Sequence, residues 1–356
     1  MIDHRSAASA SQATRRKATE IVLPGKVEPE GLLVQDTVVP APGAGRVLVR
    51  MESTGVAFAE QQMRRGTYYN QPAFPFVPGY DLVGVVEEVG AGVDPSLIGT
   101  RIAAVTKIGA WATLVDIDAA DLLPVPGELD AAAVETVIVN GITAWQMLHD
   151  RAGVTSGGTI VVLGANGGVG STLVQLARHA GIRVIGTAAP RHHGFVRQLG
   201  AEPVDYNDPQ LYARIRELAP EGVDAVFDHV GGPAIRESWS LVRRGGALVA
   251  YGSASTKDQQ SNSQLPILRL FGALTLWNIL PNGRRASFYD FWAGKSRRAA
   301  TYRAEQANAF AKVLELLSTG KLLPQIAGRF SLDDVAAALA LAESRTVAGK
   351  VILEPR

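Results

Sequence analysis

At 356 residues, with 47% hydrophobic and 19% charged side chains, the chain can bury two apolar cores and has the composition of a soluble α/β protein, which excludes disorder for its bulk. A formal charge of +1 supplies no global field for nucleic acid, a membrane surface or an acidic partner, so a small-molecule partner is expected. The absence of cysteine excludes disulfides, thiolate metal sites and cysteine nucleophiles, and no apolar run approaches the roughly 20 residues a membrane-spanning helix requires.

Residues 1–17, rich in Ser and Ala with Arg5, Arg15, Arg16 and Lys17, read as a disordered tail. It is acidic-poor like a transit peptide but lacks the apolar core of a secretory signal, and a cytoplasmic location is expected. From Ile21 to about Val139, β-rich runs at 46–51, 82–89, 100–105 and 112–117 alternate with Pro42-Gly43, Pro78-Gly79 and Gly90-Ala91-Gly92, a rhythm that predicts a small, partly closed β-domain.

After Asn140 strand and helix alternate, which predicts a doubly wound parallel sheet of Rossmann type. Strands are expected at 159–163, 183–187, 203–205, 225–228 and 247–251, and helices at 171–180, 193–199, 210–218 and 235–241. The apolar run 265–280 supplies a sixth strand, whose part 270–280 with Trp277 would pair with its symmetry mate as the edge of a homodimer.

The loop 282–303 mixes basic and aromatic residues, as some nucleic-acid binders do, but near-zero charge and a single short cluster leave a substrate lid or a dimer contact as the expectation. A helix at 304–318, another at 332–344 and a strand at 350–354 have no place in the Rossmann order and should return to the β-domain. The expected organisation is a tail (1–17), a β-domain (18–139 and 289–356) and a dinucleotide-binding domain (140–288).

The strongest motif is Thr159-Ile-Val-Val-Leu-Gly-Ala-Asn-Gly-Gly-Val-Gly170 ahead of an apolar helix. A buried strand delivers the chain to a turn containing Gly164, Asn166, Gly167, Gly168, Val169 and Gly170, and the unpaired amides at the helix start face a pyrophosphate. About 20 residues further on, NAD-selective domains carry an acidic group for the ribose 2′-hydroxyl. Here the sequence runs Val184-Ile-Gly-Thr-Ala-Ala-Pro-Arg-His-His193 without a carboxylate. Thr187, and Arg191 with His192 or His193, could meet a 2′-phosphate, so NADP(H) is the expected cofactor; otherwise Arg191 and the histidines are solvated residues at the next helix.

The chain resembles the zinc-independent quinone oxidoreductase branch of the medium-chain dehydrogenase/reductase superfamily over about 21–355. The resemblance is carried by Met63-Arg-Arg-Gly-Thr-Tyr68, Pro78-Gly-Tyr-Asp-Leu-Val-Gly-Val-Val-Glu-Glu-Val-Gly90, Gly141-Ile-Thr-Ala144, the glycine turn, Leu199-Gly-Ala201 and Gly349-Lys-Val351. It implies a GroES-like β-domain beside the Rossmann domain. Zinc-dependent members carry Gly-His-Glu where this chain has Gly79-Tyr80-Asp81, and with no cysteine and no histidine between His4 and His149 no tetrahedral metal site is expected in the β-domain.

The resemblance implies NADPH-dependent hydride transfer to a quinone or an α,β-unsaturated carbonyl, with Tyr68 at the cleft mouth either bonding the acceptor oxygen or passing a proton, or serving only as a packed wall. It places Thr143 beside the nicotinamide, Tyr206 near the adenosine ribose phosphate, His229, Val230 and Gly231 after the fourth strand, and Tyr251, Gly252, Ser253 and Ala254 after the fifth. Lys350 is either near the cofactor or simply solvated. Ala57 in Gly55-Val56-Ala57-Phe58 departs from relatives that carry Asn or Ser there. Two alternatives remain: an enoyl-thioester reductase, which a basic groove near Arg284 and Arg285 would support, and a catalytically weak NADPH-binding protein of crystallin-like or regulatory type.

Overall fold

Val47, Leu48 and Val49 are all fully buried, because their strand lies inside a sheet with antiparallel partners on both sides. In the computed structural model, which describes residues 15–252, 264–344 and 346–356, that strand is β3 (Arg46–Val56), preceded by the hairpin β1 (Arg16–Val22) and β2 (Leu33–Val39). After β3 come α1 (Phe58–Arg65), β4 (Asp81–Val89), β5 (Arg101–Val105), β6 (Leu114–Asp118) and β7 (Leu123–Pro124). Arg16 and Lys17, expected in a disordered tail, belong to β1, where Arg16 lies opposite Val39 and donates to Glu87 at 2.6 Å.

Short helices α2 (Ala131–Glu135) and α3 (Val139–Trp145) lead into β8 (Thr159–Val162), where Ile160, Val161 and Val162 are fully buried. There follow α4 (Gly168–His179), β9 (Arg183–Ala188), α5 (His193–Leu199), β10 (Glu202–Asp205), α6 (Leu211–Leu218), β11 (Val223–Asp228), α7 (Ile235–Leu241) and β12 (Val242–Ala250). The six-stranded sheet is parallel throughout in the order β10-β9-β8-β11-β12-β13, and helices cover both faces, which explains its continuous apolar strands.

Its sixth strand is not the apolar run 265–280. That run forms α8 (Gln264–Ile279), and the edge strand β13 is the short Arg285–Phe288 after it. An apolar run has the same period whether it is a buried helix or a buried strand, and only its length of 16 residues separates the two. Leu274 and Trp277, three apart, face the core, and the Trp277 ring stacks on Trp239 at 5.1 Å. The Asn278 side chain then pins α8 to β13, accepting from Ala286 N–H at 2.8 Å and donating to its carbonyl at 2.7 Å. The dimer contact expected from an exposed strand at 270–280 therefore has no strand to form it.

The last segment crosses back. α9 (Ala299–Ser318) packs Val313 against Gly141 of α3, where a methyl on the glycine would lie 2.7 Å from a Val313 methyl. β14 (Ile326–Ser331), α10 (Val335–Glu343) and β15 (Lys350–Glu354) complete the seven-stranded sheet, with Val351 opposite Val56 of β3. Among the described residues, no helix is long and apolar enough to cross a membrane.

Candidate active site

The glycine turn joins β8 to α4. Gly164 has φ 70°, a left-handed conformation that favours glycine, and a side chain there would meet the His229 ring at 2.5 Å. Gly170 lies so close to the turn that a Cβ would fall 2.1 Å from the Gly164 carbonyl oxygen. Gly167 differs: it is exposed, and a Cβ there would meet nothing nearer than 3.4 Å. Protein packing explains Gly164 and Gly170 but not Gly167, whose bare backbone leaves room for a ligand at the first turn of α4. The Asn166 carbonyl accepts from Gly349 N–H at 3.2 Å, tying the entry to β15 onto the turn.

Thr187 is buried, and its hydroxyl accepts the Gly164 N–H at 3.0 Å while its carbonyl accepts from Ala165 at 2.9 Å. It is a strut of the turn, and its hydroxyl, used there as an acceptor, keeps one proton to donate. The edge of the sheet is formed around the Ala188 carbonyl, which Tyr206 N–H reaches at 3.4 Å and His193 Nε2 at 3.1 Å. Arg191 and Tyr206 are exposed there, and the Arg191 Nε lies 3.3 Å from the Nε2 of buried His192.

The carboxyl ends of β11 and β12 form the opposite wall. The Asp228 carboxylate accepts from the amides of Val230 and Gly231 at 2.8 and 2.9 Å and from the Ser238 hydroxyl at 2.7 Å, which fixes the turn carrying His229. Burial holds the His229 imidazole below its ordinary value, so it is neutral near pH 7. Its ring lies 6.0 Å from that of Tyr251, and Gly252 lies against its backbone. Gly164, His229, Val230, Tyr251 and Gly252 thus meet at the strand ends where open parallel sheets take ligands. Ser253 lies outside the described residues.

The second half of the site is a buried aromatic cluster in the β-domain. The hydroxyls of Tyr68 and Tyr80 lie 3.1 Å apart, both rings are 6% exposed, and the Trp292 indole donates to the Tyr80 hydroxyl. Burial, then the neighbouring Tyr80, pushes the Tyr68 hydroxyl above its ordinary value, and burial does the same to Tyr80. Thr143, buried on α3, neighbours the Tyr289 hydroxyl, which donates to Gln146 at 2.7 Å. Within the segment 282–303, Phe291 and Trp292 pack on Tyr80, and Lys295 and Arg303 bind Asp121 at 3.0 and 2.7 Å.

Sequence reasoning missed the charged floor of this cluster. Lys350 is 4% exposed, not solvated, and its ammonium lies 3.0 Å from both oxygens of Asp81 and 2.6 Å from Glu135. Burial lowers the Lys350 ammonium, but Asp81 and Glu135 outweigh it and the net displacement is upward; burial raises the Glu135 carboxyl well above its usual range. Asp81 also accepts from Val139 N–H, the first residue of α3, at 3.3 Å. Glu60 of α1 is 2% exposed, accepts from Ala57 N–H at 2.9 Å through Oε2, and is pushed up to about 7 by burial and then by Asp81. Two members of the floor carry a sequence signal: Asp81, which stands where zinc-dependent relatives have glutamate, and Lys350 of Gly349-Lys-Val351.

Arg284 and Arg285 do not border this cleft. Arg285 opens β13 at the amino end of a parallel sheet and donates to the Ala152 carbonyl, and Arg284, just before it, lies over the Trp239 ring. The basic groove that would have favoured an enoyl-thioester substrate is therefore not formed by them at the ligand side.

Residues 199–353 match a family described as zinc-binding dehydrogenase, and residues 43–127 match the GroES-like domain of alcohol dehydrogenase. A quinone oxidoreductase of Rattus norvegicus is 32% identical over 229 residues, covering 63% of this chain and 70% of the relative. A 2-haloacrylate reductase of Burkholderia is 28% identical over 94% of this chain and 98% of the relative. The human synaptic vesicle membrane protein VAT-1 homolog is 28% identical over 89% of this chain and 80% of the relative. A mycobacterial protein solved in complex with NADPH superposes with a TM-score of 0.80 at 27% identity, covering 95% of this chain and all of that one.

Proposed function

The chain belongs to the medium-chain dehydrogenase/reductase superfamily, beside its quinone oxidoreductases, and on that premise we propose that this oxidoreductase uses NADPH to reduce a quinone or an α,β-unsaturated carbonyl without zinc. The observation that carries the reading is the Tyr68–Tyr80 hydroxyl pair at 3.1 Å: Tyr80 stands where zinc-dependent relatives have a histidine, and the adjacent Asp81 is committed to Lys350.

The residues present fit the dinucleotide. The exposed backbone at Gly167 and the first amides of α4 would hold the pyrophosphate, and Arg191 and Tyr206, exposed at the ends of β9 and β10, would hold the 2′-phosphate. Thr143, His229, Val230, Tyr251 and Gly252 would line the path to the reacting end. The NADPH of the mycobacterial relative supports the choice of cofactor. When bound, the cofactor supplies the hydride.

The protein then has to orient the acceptor and deliver one proton for each hydride. Tyr68, whose hydroxyl is held by Tyr80, would donate to the acceptor oxygen and stabilise the charge that develops on it. Tyr80 and Trp292 hold that donor in place, and the apolar wall of Met63, Tyr68 and Tyr80 excludes water. The reduction of a haloacrylate by one relative and of a quinone by another supports an acceptor with an activated double bond. Mixing the protein with NADPH and a panel of quinones and enones tests this: acceptor-dependent loss of NADPH is expected, and tight NADPH binding without turnover across the panel overturns it.

A further inference from the structure

We propose that Glu60 is the proton reservoir of the site, supplying through the Tyr68–Tyr80 pair the proton that accompanies each hydride. This inference rests on the reductase reading and adds to it a source for the proton. Glu60 is three residues before Met63 on α1, and Met63 is fully buried in the cluster with Tyr68 and Tyr80, so Glu60 shares the helix face that Met63 turns toward the two tyrosines, and its charge acts on both hydroxyls. Only one of its oxygens is used by the fold, to accept Ala57 N–H at 2.9 Å. The other, Oε1, is buried without a hydrogen-bond partner among the described residues, an arrangement that costs free energy for an ionised group.

The groups facing Glu60 come from several elements. Asp81 of β4 and Lys350 of β15 act on its charge, and Glu60 in turn acts on the hydroxyls of both Tyr68 and Tyr80. Arg64, one turn along on its own helix, is occupied by the Val27 carbonyl, Glu28 and Glu343. The other buried candidates are less suited. His229 is held neutral, Lys350 is clamped between two carboxylates, and Glu135 is bound to Lys350 at 2.6 Å. A tyrosine with a raised hydroxyl can pass a proton but is a poor net source near neutrality, whereas a carboxyl at about 7 is matched to that role.

The hydride brings two electrons to the acceptor and leaves an enolate or a quinol monoanion, whose oxygen takes the phenolic proton of Tyr68. Tyr68 recovers a proton across its hydrogen bond with Tyr80. No hydrogen bond joins the Glu60 carboxyl to either hydroxyl among the described residues, so its proton crosses a bridging water: the Glu60 O–H bond breaks to restore the pair, leaving a carboxylate that solvent reprotonates before the next turnover. Glu60 acts through the tyrosines and is a positioning residue, not one that touches the acceptor.

Glu60→Gln keeps an acceptor for Ala57 N–H while removing the acid. Infrared difference titration of the cofactor-free protein should show a protonated buried carboxyl lost with a midpoint near 7, absent in E60Q. With NADPH and a turned-over acceptor, the wild-type rate should fall about tenfold per pH unit well above that midpoint, whereas E60Q should be slow and flat with pH at unchanged NADPH affinity. Glu60→Asp should restore a sloping profile. A carboxyl signal identical in E60Q, or parallel pH profiles, overturns the proposal while leaving the reductase reading intact. No turnover by either protein with any acceptor overturns both.

Discussion

The hydroxyls of Tyr68 and Tyr80 share one hydrogen bond of 3.1 Å, and the Trp292 indole holds the second of them. A loop residue more than 200 positions away in sequence thereby fixes a donor in the β-domain. Removing either hydroxyl should weaken catalysis and spare the cofactor. Tyr68→Phe is expected to lower kcat about 100-fold and Tyr80→Phe about tenfold, both with NADPH affinity unchanged; steady-state kinetics beside a fluorescence titration of NADPH checks this.

At the edge of the sheet, Arg191 supplies a cation beside exposed Tyr206, and no carboxylate ends β9. Arg191→Ala should cost NADPH roughly 1.5–3 kcal/mol, about tenfold to a hundredfold in Kd, and leave NADH nearly unaffected. Titrating both cofactors against wild type and variant decides it, because an unchanged ratio would remove Arg191 from the 2′-phosphate site.

Two glycines of the turn should separate folding from binding. Gly170→Ala places a methyl 2.1 Å from the Gly164 carbonyl oxygen and is expected to destabilise the protein by about 1–3 kcal/mol. Gly167→Ala has φ −77°, which alanine adopts, and no neighbour within 3.4 Å, so its Tm should be close to wild type while NADPH binding weakens at least tenfold. Thermal melts with and without NADPH report both effects.

Glu60 also makes stability depend on pH. Its carboxyl stands at about 7 in the folded chain against an ordinary 4.5, so below 4.5 it is neutral in both states and costs nothing. As pH rises from 4.5 to 7 the unfolded chain releases the proton that the folded chain retains, and stability falls by roughly 3 kcal/mol, with the full loss present above 7. Denaturant unfolding should therefore show E60Q gaining on wild type between pH 4.5 and 8.5, and a constant difference would contradict the assignment.

The parts of the site legible in the sequence are those built from local rules. A β-branched run into spaced glycines announces a strand, a turn and a helix start, and the lack of an acid after β9 is visible without coordinates. What could not be read depends on partners far apart in the chain. Asp81, Glu135 and Lys350 span more than 260 positions, and Lys350 in isolation is indistinguishable from a solvated lysine. For Thr187 the sequence shows a hydroxyl at a strand end and hides its second role, accepting the Gly164 N–H across the turn. The run 265–280 was ambiguous for a different reason: a segment apolar on all sides has no period to distinguish α8 from a strand.

The function proposed for this chain is zinc-independent hydride transfer from NADPH to an activated double bond or quinone. The direct measurement is NADPH oxidation by the purified protein with a panel of quinones and enones, before and after exhaustive treatment with a zinc chelator. Acceptor-dependent oxidation with one acceptor reduced per NADPH, unchanged by the chelator, is the predicted result. NADPH bound but not oxidised by any acceptor, or activity abolished by chelation and restored by zinc, would contradict it.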